Sequence, residues 1–379
     1  MTSDSGIEIK RGLMNVYFDR TESCLVDGEI GKLLYRGYNI HDLAEESTFE
    51  EVMYLLLFGE LPNYDQLGDF SQSMIKDRSI PEEIFEIIKM IKDSHPMDVL
   101  RTCVSDLSNW DPEVSDNSKE AIIRKGLRLT AKAPTIVCAH HRIRNGLDPV
   151  APSTTLNHAG NFLYMLFDKE PTVEEQSIMD VDFILHAEHG SNASAFAARV
   201  AASTQSDLHS AVVAGIGTLK GPAHGGAAEE VMKMAQDIGS PDNAEKYAKD
   251  LLGSGGRVMG FGHRVYKAED PRARHMKQRS RDYGIEKGQP QWFEILTSLQ
   301  KVMAPYGARG IHVNVDFFAG SVYSLMGIPE DLFISIFALG RVPGWTLNVA
   351  EQYENNILLR PRLEYVGPMD LDYKDIDAR

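Results

Sequence analysis

Three short stretches carry side chains able to move protons at carbon. They are Gly221-Pro222-Ala223-His224-Gly225-Gly226, Gly260-Phe261-Gly262-His263-Arg264-Val265-Tyr266 and Asn314-Val315-Asp316-Phe317-Phe318-Ala319-Gly320. Two imidazoles in glycine-rich turns and one carboxylate beside two aromatic rings make an acid/base set. Burial against Phe317 and Phe318 disfavours a charged carboxyl, so Asp316 is expected to be a stronger base toward a weak carbon acid. An imidazole at a helix start stays neutral more readily and can donate a hydrogen bond to a developing oxyanion. Singly, each residue is more often a helix cap or a core side chain. Three such contexts in one chain favour chemistry, yet they do not select a reaction.

Charge supplies a second sign. The 379 residues include 39 Lys+Arg against 55 Asp+Glu, a formal charge of −16. Between positions 257 and 281 the balance reverses: Arg257, Arg264, Lys267, Arg272, Arg274, Lys277, Arg279 and Arg281 face only Glu269 and Asp270. Arginine geometry suits two-pronged contacts to carboxylates and phosphates, so a basic segment beside His263 points to an anionic ligand in the same cleft. A solvated helix face is the alternative. Arg341, Arg360 and Arg362 add further cations that serve as carboxylate clamps or surface ion pairs. The acidic total argues against a nucleic-acid partner, whose phosphates it would repel.

Other motifs are weaker. Gly215-x-Gly217-x-x-x-Gly221 resembles a dinucleotide loop but has irregular spacing and no strand before it. Neither a Walker A sequence nor a G-x-S-x-G elbow is present. His186-Ala187-Glu188-His189 looks superficially metallic but is not H-E-x-x-H and lacks a third ligand at a meaningful spacing. Cys138, close to His140 and His141, sits in a stretch that reads as helical, where a buried thiol is the ordinary outcome. The three cysteines are widely spaced, which fits a reducing cytoplasm better than a disulfide framework. The first residues show no targeting pattern, and no uninterrupted apolar run approaches the roughly 18 residues of a membrane span.

The elements that must hold these groups read as mainly α. Val16-Tyr17-Phe18, Cys24-Leu25-Val26 and Lys32-Leu33-Leu34-Tyr35, punctuated by Asp27-Gly28 and Gly31, predict small β-hairpins. Thr48-Phe49-Glu50-Glu51 is a capping box opening an apolar helix that Gly59 and Pro62 close. A helix after Pro81 carries Ile84, Ile87, Ile88 and Ile91 on one stripe. Further helices are expected over 118–144, 153–168, 173–186, 191–203, 207–219, 225–238, 242–253, 271–283, 291–304, 316–326, 329–339 and 344–357. Glycine clusters near 220 and 255 mark sharp turns or close approaches to a ligand. They suggest a smaller domain at 222–325, with 1–221 and 326–379 forming a larger one.

Taken in order, GPAHGGA, GFGHRVYKAEDPRA, NVDFFAG, ALGRVPGW and LLRPR, with HAEHGSNASAFAARV upstream and RGYNIHDLAEESTFEEVMYLLLFGELP near the start, resemble the citrate synthase family over nearly the whole chain. The resemblance implies a mainly α fold with minor N-terminal β structure, a large and a small helical domain, an active-site cleft between them, and a homodimer. It implies condensation of acetyl-CoA, and also of propionyl-CoA, with oxaloacetate. Thioester hydrolysis then gives citrate or 2-methylcitrate and free CoA, and a mainly propionyl-CoA-using enzyme is the alternative. By the same resemblance Asp316, His224 and His263 are the catalytic groups. His189, Arg272, Arg341 and Arg360 bind substrate, with Arg360 coming from the partner subunit. Gly255, Gly256, Arg257, Val258, Met259 and Lys267 lie against CoA, Lys267 standing where some members have arginine. No metal or separate cofactor is implied, and the enzyme is expected in the cytoplasm. Two readings from other classes stay open at this point: a metal-dependent hydrolase using His186 and His189, and a noncatalytic anion- or CoA-binding regulator.

Overall fold

The structure, a computed structural model, describes residues 7–13 and 15–379. A small antiparallel sheet comes first, ordered β1 (Cys24–Asp27), β2 (Lys32–Tyr35), β3 (Tyr38–Asn39), with Cys24 opposite Tyr35 and Leu34 opposite Asn39. The two expected runs at 24–26 and 32–35 are strands. Val16-Tyr17-Phe18 is not, and Phe18 instead sets its ring edge-on to Phe196 at 5.2 Å.

Helices make up nearly all the remaining secondary structure. In the first half they are α1 (Ile40–Glu46), α2 (Phe49–Phe58), α3 (Tyr64–Lys76), α4 (Glu82–Met90), α5 (Pro96–Leu107), α6 (Lys119–Arg144) and α7 (His158–Phe167). They continue as α8 (Val173–His186), α9 (Ala193–Ser203), α10 (Leu208–Leu219), α11 (Ala227–Ile238), α12 (Ala244–Gly253), α13 (Ala273–Glu286), α14 (Gln291–Met303), α15 (Asp316–Leu325) and α16 (Phe333–Glu354). The Thr48/Glu51 capping box forms as read, with reciprocal side-chain and backbone bonds. Helices α1, α3 and α5 escaped the sequence reading. Each starts on a capping side chain, Asn39, Asn63 or His95, that accepts a backbone N–H.

Two helix boundaries need correction. The helix expected from 153 begins at His158, because Asn157 caps it and the preceding loop uses the Ser153 and Leu156 carbonyls to hold the buried Arg78 guanidinium. The helices expected at 329–339 and 344–357 are one continuous α16 with Pro343 inside. Proline there lacks the N–H that would bond four residues back, and such a site is normally costly. Tertiary packing overrides it: every residue from 333 to 350 is buried, and Gly344 brings the backbone against the chain entering the site. A Cβ on Gly344 would fall 2.2 Å from the Ala187 carbonyl oxygen. The helical stretch Glu330–Glu354 has the length and apolarity of a membrane span, but its apolar window lies wholly inside the fold.

Helix α16 is the hub of one large layered pack, touching α2, α6, α8, α9 and α10. Helices α11 to α15 pack on one another and reach the rest through α16 and α8. A single buried apolar cluster runs through both sets, from Leu33 to Ala350. The connection 254–272 joins this second set to the first: the Lys267 N–H donates to the Gly28 carbonyl at 2.8 Å, and the Tyr266 hydroxyl meets His189 Nε2 at 3.1 Å.

Candidate functional site

His263 and Asp316 are held by one piece of backbone pairing. Phe261 and Val313 form an isolated antiparallel bridge. The Gly262 N–H donates to the His312 carbonyl at 2.8 Å, and the Asn314 N–H to the Gly260 carbonyl at 2.9 Å. Asn314 ties the two strands further, its Nδ2 donating to the Gly262 carbonyl and its Oδ1 accepting the Asp316 N–H. Close approach of the bridge to the helix behind it requires glycine at 260, which has φ +77° and where a Cβ would stand 2.6 Å from the Phe317 ring. Phe261 and Phe317 close the contact edge to face at 4.7 Å.

The tautomer of His263 follows from its neighbours. Its Nδ1 accepts the backbone N–H groups of Val265 and Tyr266, both at 3.1 Å. Backbone N–H groups only donate, so Nδ1 carries the lone pair and Nε2 the hydrogen. Burial, helped by the nearby Arg272 charge, pushes the imidazole down to about 4, so it is neutral at physiological pH. His263 therefore presents a neutral Nε2–H donor.

His224, in the turn before α11, is oriented the opposite way. Its Nε2 lies 3.3 Å from the Ser194 N–H and 3.0 Å from the Ser194 hydroxyl, which itself accepts the Trp345 indole N–H at 3.1 Å. Nε2 thus serves as acceptor, and Nδ1–H is left to donate. Burial and then the Arg341 charge push this imidazole down to about 4 as well. Two neutral imidazoles, each with one committed nitrogen and one available donor, suit the stabilisation of oxyanions.

Asp316 opens α15 and is buried. Its carboxylate accepts no hydrogen bond among the described residues. Burial pushes it up to about 6, with His186 and Arg272 pulling against that shift. A carboxylate poised near neutrality is a better proton acceptor than an exposed one.

Around these three lies a buried cationic floor. His189 hydrogen-bonds through Nε2 to the Tyr266 hydroxyl at 3.1 Å, and the rings of His189, His263 and Tyr266 form a triangle with centroids 4.7–5.3 Å apart. Arg272 is buried and makes a two-pronged pair with Asp270, at 2.9 and 2.7 Å. One charge of the basic segment is thereby matched locally, which the residue count could not reveal. Arg341, in the middle of α16, gives its Nε to the His186 carbonyl and lays its guanidinium 4.8 Å from the Phe337 ring centre. Its Nη2 is buried with no partner. An unsatisfied buried guanidinium nitrogen is costly in isolation and is answered by an anion.

The remaining expected residues lie further out. Gly255, Gly256, Arg257, Val258 and Met259 form the loop after α12, with Gly256 N–H closing on the Leu251 carbonyl at 2.9 Å, Val258 buried as an anchor and Arg257 exposed. Lys267 is exposed and paired with Glu29. Its backbone N–H donates to the Gly28 carbonyl at 2.8 Å, so the β1–β2 turn props the loop carrying His263. Arg360 is exposed on the extended segment after α16 and has no ion-pair partner among the described residues. Sequence reasoning missed Ser194, Phe337, Trp345, Tyr266 and Asp270 as site residues. Ser194, Tyr266, Asp270 and Trp345 sit inside the quoted motifs, but only the fold shows which side chains turn inward.

The competing motifs resolve into structure. Gly215 and Gly217 are inside helix α10 rather than in a strand-to-helix turn. Cys138 is buried and donates its thiol to the Phe162 carbonyl, and burial pushes the thiol well up. His186 and His189 do not converge: Nδ1 of the first faces the Asp182 carbonyl, while Nε2 of the second faces Tyr266. No group of three His, Cys, Asp or Glu able to hold a metal occurs among the described residues.

Comparison with known proteins places this geometry in context. The family profile described as citrate synthase, C-terminal domain, matches residues 12–362. The chain is 42% identical to a citrate synthase of Haloferax volcanii over 98% of its own length and 99% of the relative's. It is 41% identical to 2-methylcitrate synthase 1 of Corynebacterium glutamicum over the full length of both. The solved ternary complex of a Thermoplasma acidophilum citrate synthase with carboxymethyl coenzyme A and oxaloacetate superposes with a TM-score of 0.93 at 32% identity, covering 98% of this chain and 99% of that one.

Proposed function

The chain belongs to the citrate synthase family and is an enzyme that condenses an acyl-CoA with oxaloacetate; on that premise we propose which of its side chains perform the reaction and which acyl donors it takes. Arg341 and Arg272 hold the oxaloacetate carboxylates, His189 hydrogen-bonds the same substrate, and the His263 Nε2–H polarises its keto group. His224 Nδ1–H receives the thioester oxygen. Asp316 removes an α-proton of the acyl group: the C–H electrons move into an enolate whose oxygen accepts a hydrogen bond from His224 Nδ1–H, and the proton goes to the Asp316 carboxylate. The enolate carbon then attacks the polarised keto carbon, the keto π electrons move to oxygen, and the new alkoxide takes the proton of His263 Nε2–H. Water cleaves the thioester of the condensed product, releasing CoA as the thiol. No metal and no separate cofactor enters the scheme.

The observation that carries this reading is the pair of fixed tautomers. Neutral donors aimed from His224 and His263 stabilise the two oxyanions of a carbon–carbon condensation, and a carboxyl near 6 is matched to deprotonating a thioester. The groups come from both sets of helices: His224, His263 and Asp316 from 222–325, His189, Ser194 and Arg341 from the remainder. Closure of 222–325 onto 1–221 and 326–379 after oxaloacetate binds completes the set and excludes water from the thioester. CoA lies along Gly255, Gly256, Arg257, Val258 and Met259, with Lys267 leaving Glu29 for a phosphate.

The enzyme works as a homodimer in the cytoplasm, with Arg360 of the partner subunit reaching the substrate carboxylates. Support comes from the C-terminal segment, where Ile357, Leu358, Leu363, Val366, Leu371 and Tyr373 are exposed between 58 and 97%. A segment that leaves this many large apolar side chains exposed on a single chain marks an interface.

Acetyl-CoA is the first donor and propionyl-CoA a second. The catalytic groups serve both, and one methylene in a pocket changes selectivity by only about 1–3 kcal/mol. The test is kcat/KM for each donor with oxaloacetate. Turnover of both, within about 200-fold of each other, supports dual use; exclusive use of propionyl-CoA replaces it with a dedicated 2-methylcitrate synthase. Sedimentation of the free enzyme at the mass of one chain would remove the shared-site proposal.

A further inference from the structure

Two imidazoles outside the scheme above join α13 to α1. His41 Nδ1 and His275 Nε2 lie 2.9 Å apart, with the ring centroids at 5.1 Å. His275 is buried and His41 half-buried. Two ring nitrogens at that distance share a single hydrogen. The Glu45 carboxylate, 3.9 Å from His275 Nδ1, favours a hydrogen there. His275 Nε2 then keeps its lone pair, and His41 Nδ1–H donates to it. The bond links 222–325 to 1–221.

The bond meets the turn that carries Arg272. Helix α13 starts from Arg272 with no side-chain capping bond at that position. In its first turn the His275 N–H donates to the Arg272 carbonyl at 3.1 Å, and side chains three apart share a helix face. On the other side His41 is itself anchored. The Asn39 side chain accepts its N–H at 3.0 Å, and Asn39 ends β3, which pairs with β2. From β2 the Tyr35 hydroxyl donates to the Glu188 carbonyl, next to His189, at 2.7 Å. A continuous line of contacts thus runs from His189 in one set of helices to Arg272 in the other. The far end of α13 has a separate tie: the Tyr283 hydroxyl donates to the Glu175 carboxylate of α8 at 2.9 Å, about 16 Å along the helix from Arg272.

On the reading that Arg272 and His189 hold oxaloacetate, we infer that His41 and His275 are positioning residues for that substrate: their ring-to-ring bond fixes the first turn of α13, and Arg272 with it, relative to His189. The Asp270 pair orients the Arg272 guanidinium within its own segment only. Tyr266 and Lys267 tie the loop of His263 to the first set of helices, and the histidine pair does the same for Arg272. The ion pair of Arg274 with Glu45, at 3.2 Å, spans the same two helices but is exposed and contributes little. A preset Arg272 spares oxaloacetate the cost of ordering it, so the pair acts on affinity rather than on the chemical step.

The test is calorimetric binding of oxaloacetate to the free enzyme, beside steady-state kinetics. His41→Ala should raise the oxaloacetate Kd and KM about 3–10-fold, the worth of one hydrogen bond. Its kcat at saturation and its acyl-CoA KM should stay within about twofold of wild type. His41→Gln, which returns an N–H donor, should bring the Kd back to within about twofold. His41→Phe keeps a ring without the donor, and it decides the question if His41→Ala does not fold. Adding His275→Ala to His41→Ala should cost less than about twofold more, since the two residues act through one bond. Tyr283→Phe, which cuts the far tie between the same sets of helices, should leave the Kd within about twofold. Wild-type affinity in the folded His41→Ala or His41→Phe variant, a loss that Tyr283→Phe matches, or no rescue by glutamine overturns the inference. Arg272→Gln separates the two readings. If it leaves the Kd unchanged, the assignment of Arg272 has failed; if it raises the Kd at least about tenfold while the His41 variants bind normally, only the role of the histidine pair falls.

Discussion

A single methyl group at position 260 probes the coupling between the loop of His263 and the strand leading to Asp316. Gly260 has φ +77°, and a Cβ there would meet Cδ2 of Phe317 at 2.6 Å and Cγ2 of Val231 at 2.8 Å. Gly260→Ala therefore carries two costs. Holding alanine in the left-handed region costs about 1–2 kcal/mol, and forcing a methyl into packed side chains costs about 1–3 kcal/mol more. Gly262 is a built-in control: its φ is +87°, but nothing lies within 4 Å of a Cβ, so Gly262→Ala carries the backbone cost alone. Urea unfolding of the two variants should differ by that packing cost, about 1–3 kcal/mol, with Gly260→Ala the less stable. Thiol release should show the functional side. Phe317 adjoins Asp316, and a displacement of about 1 Å can cost about 100-fold in rate, so kcat should fall by that order in Gly260→Ala. Equal stability losses in the two variants, or an undiminished kcat at position 260, would refute the claim that one bridge locks both catalytic groups.

Other consequences are equally direct. Asp316 works ionised, so kcat/KM for the acyl donor should fall by about a decade per pH unit as pH drops below about 6, whereas His224 and His263, neutral down to about 4, add no break above that point. A limb centred near 4 contradicts this assignment. Arg341→Gln should raise the oxaloacetate KM by about 30-fold or more, equivalent to losing roughly 2 kcal/mol from a buried charged contact, and leave the acyl-CoA KM nearly unchanged; an equal rise in both would place Arg341 elsewhere. Away from the site, burial raises the Asp180 and Glu50 carboxyls together. Groups with raised folded-state values stabilise below their unfolded values and lose that contribution as pH climbs through the folded ones. Asp180→Asn should therefore flatten the decline in urea midpoint as pH rises above the unfolded carboxyl's value of about 4, and an unchanged slope would count against it.

Much of the site was legible in the sequence because its groups are announced by their neighbours. Glycines at 225, 226, 260 and 262 and aromatics at 317 and 318 mark where backbone turns sharply and where a carboxyl loses water, so His224, His263 and Asp316 stood out. What held them did not. The bridge between Phe261 and Val313 joins segments some fifty residues apart, and no local pattern encodes it. The continuity of α16 through Pro343 was misread because local propensity stops a helix at proline, while burial along 333–350 decides otherwise. The basic segment reads as net cationic with Glu269 and Asp270 counted against it, but only the fold shows that Asp270 turns back onto Arg272, the cation beside His263. His186 looked metallic by its company with His189; only the direction of its two nitrogens separates it from a ligand.

The central claim is that Asp316, with two neutral imidazoles, makes a carbon–carbon bond from an acyl-CoA and oxaloacetate. Its most direct test is thiol release from acetyl-CoA with oxaloacetate, the product identified by mass spectrometry, in the wild type and in Asp316→Ala. Robust release with citrate as product in the wild type, and loss of both in the variant while it remains folded, is the expected result. Release that persists in Asp316→Ala, or that proceeds without oxaloacetate, would contradict the account.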